Sequence, residues 1–83
     1  MDSSPIREKM RTEQLRQKID RLEQKIDITK YNMEVSKEII VETPADAQRE
    51  KLIQKNIQRQ HGIAGIEKEI RDIEQNLKNK SEY

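Results

Sequence analysis

The sequence contains no cysteine, no phenylalanine and no tryptophan, and it has a single histidine. Without cysteine there can be no disulfide, no thiolate metal site and no thioredoxin-type dithiol chemistry. One histidine cannot make a multi-histidine zinc site within one chain, so no metal or cofactor is expected. Two tyrosines, Tyr31 and Tyr83, are the only aromatic residues, too few for a platform on which single-stranded bases could stack. No apolar run approaches the roughly 20 residues that span a bilayer, and the opening MDSSPIREKMR has no apolar signal core. A soluble, cytoplasmic protein without a membrane partner is the expectation. An excess of one charge is also missing, since 17 basic residues stand against 16 acidic ones. Nucleic-acid binders usually carry a basic surplus or a basic face.

Apolar residues are scarce as well. They make up 31% of 83 residues, while 40% are charged. A chain this short buries a small share of its surface and is marginal alone. With disulfides and metal excluded, a partner chain is the remaining means of stabilisation. Low hydrophobicity is also a mark of disorder, but the pattern of the apolar residues points elsewhere.

Leu15, Ile19, Leu22, Ile26, Thr29, Met33, Ser36 and Ile40 recur at alternating steps of four and three. Leu52, Asn56, Arg59, Ile63, Ile66, Ile70, Ile73 and Leu77 form a second series with the same spacing. Each is the heptad seam of a helix packed lengthwise on another. Ser4-Pro5 and Thr43-Pro44 each read as an N-cap followed by the first helical position. Asp46, three residues after Thr43, adds negative charge to a first turn. These signals predict one domain over residues 1–83: helix one over about 5–41, a turn at about 42–43, helix two over about 44–79, and a tail at 80–83. So short a turn makes the helices antiparallel neighbours. The predicted fold is an all-α, antiparallel two-helix coiled-coil hairpin, able to pair with another into a four-helix bundle.

Folding about residues 42–43 sets Met33 near Leu52, Ile26 near Arg59, Leu22 near Ile63, Ile19 near Ile66 and Leu15 near Ile70. Thr29 then meets Asn56 in a polar layer. That layer reads either as a register device or as a binding site between the helices. Gly62 and Gly65 interrupt helix two at about 1 kcal/mol each relative to alanine. They read as a place of close helix approach or as a hinge. A phosphate loop would need a preceding strand and a different glycine spacing.

Further apolar residues lie off the seam: Ile28, Tyr31, Val35 and Ile39 on helix one, Ile53 and Ile57 on helix two. One two-helix seam does not cover all of them. They predict a protein interface, together with Gly62 and Gly65, with a second copy or a different protein as partner. A slightly wider intrachain core is the other reading.

Catalytic signatures are missing. There is no cysteine nucleophile and no motif pairing serine with His61. The carboxylates alternate with lysine and arginine, as in Glu67-Lys68-Glu69, which is the pattern of a solvated, ion-paired helix surface. A two-helix hairpin has little concave volume in which to shift a carboxyl pKa or seat a small-molecule substrate. A non-enzyme is expected. Arg7, Lys9, Arg11, Arg16, Lys18, Arg21 and Lys25 thicken the first half of helix one, interspersed with Glu8, Glu13, Asp20 and Glu23. They read as a solvated face, or alternatively as the phosphate-tracking face of a weak nucleic-acid packaging protein.

Leu52-Ile53-Gln54-Lys55-Asn56, followed by Arg59, Ile63, Ile66, Glu69-Ile70 and Asp72, resembles the second half of the Tlp family of small spore proteins. The resemblance extends over about residues 26–73. The Asp-Arg-x-Asp-Asn opening common in that family does not occur in Met1 to Met10. The resemblance implies a small soluble bacterial protein of the spore or sporulating cell, in the cytoplasm or spore core, with no catalytic residues to carry over. Small sporulation phosphatases also resemble short hairpins, but their Ser-Gln-x-Leu-Asp motif does not occur here. The functional expectation is association with protein, as a Tlp-like spore protein or as a small helical inhibitor or adaptor of a larger target, of host or phage origin.

Overall fold

In a computed structural model the chain folds as two long helices, α1 (Pro5–Glu42) and α2 (Asp46–Ser81), packed side by side as a hairpin. The structure describes residues 5–81, with side chains for 9–79. The expected cap at Ser4 and the tyrosine at 83 lie outside them. Among the described residues there is no strand, and no helix is long and apolar enough to cross a membrane.

Pro5 opens α1, where its missing N–H costs nothing. The connection differs in detail from the expected one. It spans residues 43–45 rather than 42–43, and α2 begins at Asp46 rather than at Pro44. Thr43 does not cap α2. Its hydroxyl donates to the Ile39 carbonyl at 2.6 Å and its N–H to the Ile40 carbonyl at 3.3 Å. Both bonds close the last turn of α1, the back-bonding that threonine offers a carbonyl four residues earlier. Pro44 then prevents α1 from continuing. The first backbone bond of α2 runs from the Arg49 N–H to the Ala45 carbonyl at 3.0 Å. Asp46 supplies the negative charge of the first turn.

The core is a single shallow seam. Ile26, Ile63 and Ile70 form its buried cluster, with Ile19, Leu22, Met33 and Ile66 packed against it. Ile73 is also buried. Leu15, Leu52 and Leu77 are half-buried along the same line. One layer of two helices cannot close over its seam, so even the core isoleucines keep 8–9% of their surface exposed. The molecule measures 64 × 17 × 15 Å, with a radius of gyration of 18.9 Å. A compact domain of this length would have a radius of about 12 Å. The hairpin is therefore a rod two helices wide and one helix thick.

Candidate association surface

Moving the centre of the connection toward Ala45 slides the two helices past each other. The pairing differs accordingly from a fold about residues 42–43. Asn56 does not bond to Thr29. Its amide donates to the backbone carbonyl of Met33 at 3.3 Å, about one turn closer to the connection. Thr29 instead donates its hydroxyl to the Lys25 carbonyl in its own helix, at 2.8 Å. Arg59 does not lie over Ile26. It reaches Ser36, with the guanidinium Nη1 donating to the Ser36 hydroxyl at 2.7 Å and to the Asn56 carboxamide oxygen at 2.9 Å. The polar layer thus joins the Met33 carbonyl, Ser36, Asn56 and Arg59.

Ser36 is the buried member, 6% exposed. Its partner is a half-buried cation held by neutral oxygens, and among the described residues no carboxylate lies within ion-pair distance of Arg59. A hydrogen bond from a charged donor is among the stronger ones available. No side-chain nitrogen or oxygen buried among the described residues lacks a partner. The buried groups of the layer are thus satisfied within the chain, and the open space between the helices lies beside it.

Beside this layer, on the half of the rod nearest the connection, lies a groove of about 330 Å³. It is lined by Met33, Lys37 and Ile40 of α1 and by Ile53, Asn56, Ile57 and Gln60 of α2. The charged member, Lys37, is paired with Glu34 at 3.1 Å. Ile53 and Ile57, marked from the sequence as surplus to the seam, stand in its wall. Sequence reading placed Met33, Ile40 and Asn56 in the seam and did not assign Lys37 or Gln60 to any surface. A second line on α2 beside the first, through Ile53 and Ile57, could have found Gln60, and no spacing signal marks Lys37 on α1.

The other off-seam residues stand elsewhere. Ile28 and Tyr31 are 62% and 69% exposed, and Val35 and Ile39 are also exposed. None of these four lines the groove. Lys37 lies about 200° from Val35 around α1 at roughly 100° per residue, so the stripe and the groove occupy different sides of the helix.

Gly62 and Gly65 lie on continuous α2 with ordinary helical backbone. A Cβ added to either would meet nothing within 4 Å. No other part of the chain approaches closely over them, and the helix does not break there. His61 is exposed. Among the described residues no group of three or more His, Cys, Asp or Glu side chains is placed to hold a metal ion. Among the described residues the exposed ion pair Lys18–Glu69, at 3.3 Å, bridges the helices. In so exposed a setting such a pair contributes little.

Comparison with curated proteins and with solved structures returns no match. The family described as "Small, acid-soluble spore protein Tlp" does match, over residues 10–80. That range covers most of both helices and the whole connection, and it extends beyond residues 26–73 in both directions. A match over most of the 83 residues shows that the chain belongs to the Tlp family of small acid-soluble spore proteins.

Proposed function

We propose that this Tlp-family chain acts in the spore by associating with protein, without catalysing a reaction. The observation that carries the reading is the distribution of exposed apolar side chains. Among the described residues, Ile28, Tyr31, Val35, Ile39, Val41 and Ile57 are exposed in the half of the hairpin that flanks the connection, while Met10 is exposed toward the open end. Ile28, Tyr31, Val35 and Ile39 form the α1 stripe and Ile57 stands in the groove wall, a different face. Apolar surface left exposed in this way on a small protein commonly marks an interaction site. The shallow seam supports the same reading, because a hairpin one helix thick gains most when another surface covers it. The near balance of charge supports protein over nucleic acid, whose binding draws on a basic excess.

The test is photo-crosslinking from position 57 or 31 in sporulating cells, beside filter binding of the purified chain to DNA at low and moderate salt. Protein adducts with weak DNA retention are the expected result. Tight DNA binding with a steep salt slope, or turnover of a substrate by the chain itself, would overturn the proposal.

A further inference from the structure

We infer that the groove between Met33, Ile40, Ile53 and Ile57 seats a second copy of this chain, two hairpins meeting groove to groove about a two-fold axis as a four-helix bundle. The inference rests on the association reading, names its partner, and selects the groove over the α1 stripe of Ile28, Tyr31, Val35 and Ile39 as the surface.

Area is the first argument. The chain exposes 7012 Å². A compact folded monomer of 9.9 kDa would expose about 5,200 Å² by the usual size scaling. The excess, about 1,800 Å², follows from the rod shape and is spread over the whole molecule, and covering less than half of it would supply the roughly 800 Å² that one partner contributes to a standard protein interface. A second layer of two helices is what a rod 17 × 15 Å in section lacks, and antiparallel four-helix bundles supply that layer.

The spacing on α2 is the second argument. The intrachain seam uses Leu52, Asn56, Arg59 and Ile63. One residue further on, Ile53 and Ile57 place two large apolar side chains on the adjacent line of the helix, which Gln60 and Ala64 continue. A helix that packs on one neighbour needs one such line. A helix in a bundle presents a wider apolar face to two neighbours. On α1, Met33, Lys37 and Ile40 line the groove from the other helix.

Charge is the third. Two identical surfaces brought together must not oppose like charges. The cation in the groove wall, Lys37, is already neutralised within its own chain by Glu34, and the net charge of each copy is only +1. A two-fold contact is self-complementary, and Ile57, 42% exposed at the groove wall, supplies both a projecting side chain and part of the recess. The copies would overlap at their connection ends, leaving the charged open ends of the hairpins apart.

Sedimentation equilibrium of the full chain across a concentration series tests the stoichiometry. Because the chain has no cysteine, single substitutions I53C, I57C, Q60C and Y31C then map the contact by disulfide trapping without background. The expected results are a reversible dimer, trapping from at least one groove position, and none from position 31. The variant I57K should keep its helical circular dichroism and weaken the dimer by about 30-fold or more, as loss of an interface anchor does. A strict monomer at every concentration overturns the inference, as does trapping from position 31 alone. If the monomer instead forms photo-adducts with a different spore protein, the second copy is excluded while the broader association reading stands.

Discussion

Arg59 of α2 reaches across the hairpin to Ser36 of α1, its guanidinium donating to the buried hydroxyl at 2.7 Å. The same nitrogen also donates to Asn56, which in turn donates to the Met33 carbonyl. Both polar positions of the α2 seam therefore meet Ser36 and a backbone carbonyl of α1, while Thr29, the other polar position of the α1 seam, bonds within its own helix. In an otherwise interchangeable line of isoleucines and leucines, this layer distinguishes one register from its neighbours a turn away. That is the role attested for polar residues at core positions of coiled coils.

Ser36→Ala should lower stability by about 1–2 kcal/mol, because it leaves a half-buried charged donor with one acceptor fewer. Thermal melts at fixed chain concentration would register the loss as a drop of roughly 4–8 °C per kcal/mol. In a double-mutant cycle with Arg59→Met the two losses should be coupled by at least about 0.5 kcal/mol. Strict additivity would show that the contact contributes nothing.

Asn56→Leu should also destabilise. Were Asn56 merely an unpartnered polar interruption of the seam, leucine would strengthen the core. Its carboxamide instead accepts from Arg59 and donates to a backbone carbonyl across the hairpin, and leucine can do neither. A loss of about 1–2 kcal/mol is expected, and a higher melting temperature would show that the network is dispensable.

Much of this hairpin can be read from spacing. Ile19, Leu22, Ile26, Ile63, Ile66 and Ile70 announce a seam because helical period places them on one face of each helix. What spacing does not carry is the axial offset between the helices, which depends on where the chain turns. Thr43 before Pro44 has the composition of an N-cap, yet its hydroxyl donates back to the Ile39 carbonyl and does not accept from an N–H of α2. The last turn of α1 gains the residue, and the turn centre moves. That shift takes Asn56 from Thr29 to Met33 and sends Arg59 to Ser36. The groove was only partly legible for a related reason. Ile53 and Ile57 were visible as surplus apolar residues, but which α1 residues face them depends on the same offset.

Gly62→Ala and Gly65→Ala should each stabilise the chain by about 1 kcal/mol, the difference in helix propensity. Neither glycine has a positive φ, and an added methyl meets nothing within 4 Å. Neither residue lines the groove, so the association measured by sedimentation should not change. Melting temperatures that stay level or fall would show that something packs against this patch. Weakened association would place that contact in the interface.

Val35→Asp and Ile57→Asp separate the two exposed apolar surfaces. The wild-type side chains are similarly accessible, 37% and 42% exposed, so a carboxylate at either position costs the isolated hairpin little and both variants should retain their helical circular dichroism. Their effects on assembly should differ. Ile57 stands in the groove wall, and a carboxylate buried there against an apolar partner would be unpaired and strongly disfavoured. Val35 lies on a different side of α1, where aspartate would remain in water. Ile57→Asp should therefore abolish the dimer at concentrations where Val35→Asp leaves it intact. If only Val35→Asp dissociates it, the stripe of Ile28, Tyr31, Val35 and Ile39 is the seat of association and the groove is not. Each variant also acts as the other's control for folding, because any loss of assembly that came from a weakened hairpin would appear in both.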